Sequence, residues 1–203
     1  MIIKTFVEAP IENNNYLIID EDSKEAVLVD CSGEILEKIE PILQEKNAVL
    51  KYILLTHGHF DHITGITENL GSKVLMHNAD MNWVNNINQY LPMLGLPAMP
   101  IPHINEFISD NQVLKIGQTD IKVIHTPGHT QGGVCFLIEN SLFSGDTIFK
   151  ESVGRCDLEG GDFEQLSESI ETKIFTLPDE ITIYPGHGPK TTVKWEKQHN
   201  RFL

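Results

Sequence analysis

Three histidines and an aspartate lie within the seven residues Thr56-His57-Gly58-His59-Phe60-Asp61-His62. Imidazole is the commonest protein ligand for a transition metal, and carboxylate oxygen is a hard partner to it. His57 and His59 are two apart and point the same way in extended chain, whereas Asp61 and His62 are adjacent and cannot share that direction. The spacing therefore predicts two neighbouring metal positions, one fed by each pair. A lone surface His-x-His would carry no such reading. Four ligand-type residues in a glycine-containing turn do.

More of the same chemistry lies downstream. His129 sits in Thr126-Pro127-Gly128-His129-Thr130, Asp146 in Ser144-Gly145-Asp146-Thr147, and His187 in Tyr184-Pro185-Gly186-His187-Gly188. Each follows an apolar run and a small or turn residue that lets backbone approach closely. Taken singly, each is more simply a loop residue. Together with the heptapeptide they give seven candidate ligands, His57, His59, Asp61, His62, His129, Asp146 and His187. Nitrogen and oxygen donors without thiolate suit Zn²⁺, with Fe and Mn as alternatives. The four other histidines, His77, His103, His125 and His199, lack a ligand context; His125 is read as a strand residue or a support to a ligand.

These ligands must be held by elements that the apolar pattern also indicates. Tyr52-Ile53-Leu54-Leu55, within a strand at 51–55, is a buried run that delivers the heptapeptide at its carboxyl end, the usual place for a site in an α/β protein. Before it, Ile2–Val7, Tyr16–Ile19 and Ala26–Val29 read as a meander, separated by Asn13-Asn14-Asn15 and Glu21-Asp22-Ser23 as turns. Asp30 is left between a helix cap and a partner for a metal-bound histidine. Residues 34–46 carry helical spacing, with Pro41 expected to kink or split the helix. A short helix over Ile63–Leu70, a strand at Lys73–Met76 and a helix at Ala79–Asn86 follow. The apolar, proline-rich stretch 87–106 is read as a loop over the core or the rim of the site.

Val113–Ile116, Ile121–Ile124, Val134–Ile138 and Leu142–Phe143 form a second group of strands. Asp162 then caps a helix whose face is Phe163, Leu166, Ile170 and Ile174. Ile181–Tyr184 is the last strand, and 190–203 reads as a polar tail. Strands then helix, twice over, suggest two similar halves facing each other.

Composition narrows the function classes. With 203 residues, one domain over 1–203 is expected, and 40% hydrophobic with 22% charged content is that of a globular chain. The formal net charge of −14, from 29 acidic against 15 basic residues, disfavours nucleic acid and anionic membrane as partners. Cys31, Cys135 and Cys156 are widely spaced with no CxxC, so neither a disulfide framework nor a cysteine zinc module is expected. Cys156 is read as a small loop residue rather than a ligand or redox sensor. The start of the chain shows no signal or spanning pattern, and a cytoplasmic setting is expected.

The motif His57-x-His59-x-Asp61-His62, followed by His129, Asp146 and His187, resembles the metallo-β-lactamase superfamily over essentially the whole chain. The resemblance implies an α/β (α+β) fold, a four-layer αββα sandwich of two mixed sheets with helices outside. It implies that His57, His59 and His129 hold a first metal, that Asp61, His62 and His187 hold a second, and that Asp146 bridges them. Thr126-Pro127-Gly128-His129-Thr130, Ser144-Gly145-Asp146-Thr147 and Gly154-Arg155 look most like the short hydrolases related to glyoxalase II (hydroxyacylglutathione hydrolase). That resemblance offers Arg155 as the basic residue for the thiol portion, while the glutathione-binding carboxyl-terminal extension of glyoxalase II is not matched.

The expected activity is thus a thioesterase in which water activated between two divalent cations attacks the carbonyl. Asp61 and Asp146 are the catalytic carboxylates, and a small-molecule thioester is the partner. A mononuclear iron persulfide dioxygenase is the main alternative, and a lactonase or nuclease of the same fold is another. A purely structural zinc module fits least, because such sites are closed by four ligands, often thiolates.

Overall fold

The computed structural model describes residues 1–9, 11–66 and 71–203. Ile2–Glu8 (β1), Asn13–Ile19 (β2) and Glu25–Val29 (β3) form the expected meander, antiparallel throughout. The helix Ile35–Lys46 (α1) then crosses over to Val49–Leu54 (β4), which pairs parallel to β3 with Val29 opposite Leu54. The short helix Phe60–Ile63 (α2) leads towards Lys73–His77 (β5), and Met81–Asn85 (α3) and Ile87–Tyr90 (α4) towards Glu106–Ile108 (β6). β5 and β6 continue the sheet in parallel, giving the order β1-β2-β3-β4-β5-β6. Because β3, β4 and β5 run the same way, Asp30, the heptapeptide and His77 all emerge at one edge.

The second sheet begins with Val113–Ile116 (β7), Thr119–His125 (β8), Val134–Ile138 (β9) and Ser141–Gly145 (β10), each antiparallel to the last. A hairpin of Ile148–Phe149 (β11) and Ser152–Val153 (β12) follows, then Phe163–Ser169 (α5). Thr182–Pro185 (β13) pairs parallel to β10, Thr191–Thr192 (β14) closes that edge, and Val193–His199 (α6) ends the chain's regular structure. The sheet order is β14-β13-β10-β9-β8-β7. β8, β10 and β13 point the same way, so the segments carrying His129, Asp146 and His187 also gather at one end.

Alternation along the strands builds the layers. In β2, Tyr16 and Ile18 face the opposite sheet while Leu17 and Ile19 face α1. Tyr16, Ile18, Val27, Val29 and Leu54 meet Ile121, Val123, Phe136 and Phe143 between the sheets. Leu17, Leu28 and Ile53 pack on Ile35, Ile39 and Leu43 of α1, and Leu142 and Ile183 pack on Leu166, Ile170 and Val193 outside the second sheet. Each such fully buried side chain contributes about 1.5–3 kcal/mol. The architecture is the αββα sandwich that the resemblance implies. Among the described residues, no helix is long and apolar enough to cross a membrane.

Several local expectations change. Asn13-Asn14-Asn15 is not a turn: all three residues begin β2 and are buried. α1 runs unbroken through Pro41, which lies on its exposed side, where water can satisfy the carbonyl that proline leaves free. The loop expected at 87–106 starts as α4 and a 3₁₀ turn, Leu91–Leu94, closed by Gly95 in the left-handed region. Its buried Ile87 and Leu91 belong to the core, so tertiary packing overrides the prolines. Asp162 does cap α5, accepting from the Gln165 backbone N–H at 3.1 Å. The helix then widens into a π-helical turn, Ile170–Ile174, and Phe163 is exposed rather than on the packed face. Residues 190–203 form β14 and α6 around buried Val193 and Glu196. Of the helix expected over Ile63–Leu70, residues 67–70 lie outside the described residues.

Candidate metal centre

β4 ends against buried Leu55 and Thr56, and the chain turns through Gly58 into α2, so the heptapeptide sits in the cleft between the sheets. Gly58 is needed there because a Cβ would meet the Asp80 carbonyl oxygen at 2.9 Å and Trp83 Cβ at 3.0 Å. His57 Nε2 lies 3.1 Å from His59 Nδ1, and His129 Nε2 lies 3.3 Å and 3.0 Å from those two atoms. All three rings are buried. Burial, reinforced by neighbouring histidines, pushes His57 well below its ordinary pKa and His59 down to about 3. Ring nitrogens that converge on one point are poor partners for each other and good ones for a cation.

Two of the rings are oriented from behind. His129 Nδ1 donates to the Arg155 carbonyl at 2.7 Å, leaving Nε2 to face the cluster. His57 Nδ1 lies 3.1 Å from Thr56 Oγ1, whose hydroxyl donates to Asp30. Asp30 also accepts the Thr56 N–H at 2.8 Å and contacts His62 Nδ1 at 2.8 Å, so of its two expected roles it takes that of partner to a candidate ligand.

Asp61, His62 and His187 form a second cluster. His187 Nε2 is 3.1 Å from Asp61 Oδ2, and His62 Nε2 is 3.5 Å from the same oxygen. Asp146 lies between the clusters: its carboxylate is 3.4 Å from His62, 3.6 Å from His129 and 3.7 Å from His187. Burial resists charging of His62, but Asp30, Asp61 and Asp146 outweigh it and hold its pKa well above the histidine range. Burial likewise resists ionisation of Asp146, yet facing His62, His129 and His187 hold it well below the usual carboxylate range.

The seven residues form groups of the kind that could hold a metal ion. His57, His59 and His129 have ligand atoms within 4.8 Å of one another, as do Asp61, His62 and His187, and a third overlapping group is His57, His62 and Asp146. Asp146 Oδ1 is buried without a hydrogen-bond partner, a costly state that a bound cation would relieve. All donors are nitrogen or oxygen; the three cysteines are free and elsewhere. The seven candidates read from sequence are thus brought together.

Arg155 reaches the rim, but its guanidinium is already engaged, donating from Nε and Nη2 to Asp157 at 2.7 Å each. His125 stands apart from the clusters, stacked on His77 with ring centroids 4.2 Å apart. Cys156 packs beside the outer core, and its thiol pKa is raised by burial and by the charge of Asp162, as befits a loop residue rather than a reactive thiolate.

Sequence reasoning missed the residues that tie the loops together. Buried Asp80 accepts from Gly58 N–H at 2.9 Å, Thr130 Oγ1 at 2.8 Å and Gly132 N–H at 2.6 Å, so it links the loops of both sheets. Asn13 Nδ2 lies 3.0 Å from His62 Nδ1, and Asn14 donates to the Pro185 and Gly188 carbonyls beside His187. Trp83 stands edge-on to His59 at 4.4 Å between ring centroids. Nothing in the spacing of these residues marks them; an Asn triplet just before an apolar strand is the one signal that could have been weighed.

The family model described as the metallo-beta-lactamase superfamily matches residues 10–187. The chain belongs to the metallo-beta-lactamase superfamily. Within the superfamily, it is 33% identical over 201 residues to the hydroxyacylglutathione hydrolase GloC of Haemophilus influenzae, covering 93% of this chain and 92% of that one. The crystal structure of the BLEG-1 B3 metallo-beta-lactamase superposes with a TM-score of 0.89 at 35% identity, covering 100% of this chain and 99% of that one. TTHA1623, solved in a di-iron-bound form, superposes with a TM-score of 0.85 at 32% identity, covering 98% and 100%. Both likenesses run through the whole metallo-beta-lactamase sandwich rather than the ligand loops alone.

Proposed function

We propose that this chain is a metal-dependent hydrolase of small-molecule thioesters, glyoxalase II-like in its chemistry, with two divalent cations per chain. The observation that carries the reading is Asp146, whose carboxylate lies within 3.7 Å of histidines from both clusters. A cavity of about 560 Å³ opens directly onto this place, lined by His59, Asp61, His129, Asp146 and His187 among others. The likeness to a hydroxyacylglutathione hydrolase supports the thioester part.

His57, His59 and His129 would hold one ion and Asp61, His62 and His187 the other, with Asp146 between them. When bound, the cations would polarise a carbonyl and acidify water at neutral pH. The protein's part is positional. Asp30 fixes His62, the Arg155 carbonyl fixes His129, and Asp61, on the cavity wall, would orient the attacking water. The thiol portion of the substrate would leave past the rim where Arg155 stands. Zn²⁺ suits the donor set, and the di-iron form of a relative keeps iron in view beside Mn. Three free cysteines fit a cytoplasmic, reducing setting.

Metal analysis beside a hydrolysis panel tests this. S-D-lactoylglutathione, neutral thioesters, a lactone, a β-lactam and a glutathione persulfide would be offered to the purified protein before and after chelation. About two ions per chain are expected, with thioester hydrolysis that chelation abolishes. Full activity on one ion would overturn the two-metal arrangement. Oxygen uptake on persulfide without thioester hydrolysis would replace the hydrolase by the dioxygenase reading, which the presence of Asp61, His62 and His187 as a second ligand set disfavours.

A further inference from the structure

The walls above the metal centre differ in chemistry from its floor. Trp83, Tyr90, Met93 and Leu94 from α3, α4 and the turn after them line the cavity, together with Phe149 of β11 and Leu158 from the segment after β12. Trp83 and Tyr90 are in contact, with ring centroids 4.9 Å apart. Met93 is 82% exposed and Leu94 53%, a large apolar surface left open to water beside a polar centre. Exposed apolar patches of this kind mark places that something apolar covers.

The charges on the rim point the same way. Among the described residues lining the cavity, Arg155 is the one lysine or arginine, and Asp157 already takes the Nε–Nη2 edge of its guanidinium. Glu159 adds a negative charge beside the lining residue Tyr90, accepting from its hydroxyl at 3.4 Å and from Asn82 at 3.2 Å. A glutathione group carries two carboxylates and one ammonium. Its carboxylates would share the one lining guanidinium with Asp157 and would gain little from the apolar walls.

Building on the thioesterase reading, we infer that the cavity selects substrates with an uncharged, apolar arm of several carbons, laid against Trp83, Tyr90, Met93 and Leu94, over those with a glutathione arm. The arm's apolar area supplies the binding energy, while the metal centre handles a carbonyl common to all candidates. Met93 and Leu94 are the specificity-determining positions, and their exposure means that polar replacements leave the core intact.

Binding can be read without catalysis. The chain has two tryptophans, so Trp195→Phe leaves Trp83 as the reporter in the cavity. Its fluorescence would be titrated with non-hydrolysable thioethers: ethyl, butyl, hexyl and octyl N-acetylcysteamine, and the same alkyl series on glutathione. Affinity in the neutral series should rise about two- to fourfold per added methylene. At each length the neutral compound should bind more tightly than its glutathione counterpart. Met93→Ser with Leu94→Ser should flatten the length dependence without lowering the unfolding midpoint. A flat neutral series, or tighter binding of the glutathione series, would overturn the inference. Thioesters with the same arms, assayed in parallel, separate the two readings. Length-graded binding without hydrolysis would remove the thioesterase and keep the apolar cavity, whereas hydrolysis with flat binding would do the reverse.

Discussion

Asp146 lies between the clusters, its carboxylate within 3.7 Å of histidines of each, and is proposed to serve both. Asp146→Ala should therefore lower bound metal and kcat together, by more than the roughly 10- to 100-fold loss in metal affinity expected for Asp30→Ala, which acts only through His62 and Thr56. His125→Ala should cost little, because that ring stacks on His77 and bonds the Gln131 carbonyl away from the centre. Metal content and turnover of the three variants give the ranking, and a reversed order would reassign the site. The cysteines make a second case. Cys156 is half-buried with its pKa raised by burial and then by Asp162, while burial pushes Cys135 up to about 11. A raised thiol pKa means less thiolate at any given pH, so alkylation of the native protein should begin at higher pH than for a free thiol. Cys156 should react first, and Cys31 and Cys135 only on unfolding. Fast labelling of Cys156 at neutral pH would revive a redox role.

Among the elements, α6 shows how a stretch read as a polar tail becomes structural. Glu196 is buried and accepts from Thr191 Oγ1 at 2.5 Å, the Glu151 N–H at 2.9 Å and Asn200 Nδ2 at 2.9 Å. Glu196→Ala would strand those donors at a cost on the order of 3 kcal/mol, seen as a lower urea midpoint with unchanged slope. A change within error would mean that water replaces the carboxylate. The contrast with the ligand loops explains what could be read in advance. His57, His59 and Asp61 announce themselves because such side chains are rare side by side and follow an apolar strand. Asn13, Asn14 and Asn15 do not, since asparagine is depleted in strands; here Asn13 reaches His62, Asn14 donates to the Pro185 and Gly188 carbonyls, and Asn15 donates to Ser32 Oγ. Asp80 is opaque for a related reason: its partners are two backbone N–H groups and a hydroxyl, far off in sequence, and contacts of that kind leave no periodic trace. Proline misled twice: Pro41 faces water on α1, and Pro92 sits in the first turn of the 3₁₀ stretch, where its missing N–H costs nothing.

At the scale of the molecule, the two sheets share the apolar layer from Tyr16 to Phe143, which supports the proposal that residues 1–203 unfold as one unit. Fluorescence and circular dichroism should then give coincident transitions. Adding metal should raise the midpoint and chelation lower it, since an ion present at 100 times its dissociation constant contributes about 2.7 kcal/mol per site. Two separated transitions would show that the sheets unfold apart.

Each candidate ion position also draws ligands from both sheets. His57 and His129 are 72 residues apart, and Asp61 and His187 are 126 apart. A ribosome making this chain therefore completes β6 at Ile108 before it reaches His129, and long before it reaches His187. The growing protein passes most of its synthesis with His57, His59, Asp61 and His62 in place but lacking His129 and then His187. Neither candidate position can be complete before the segment that carries His129 or His187 has been made and packed against the first sheet.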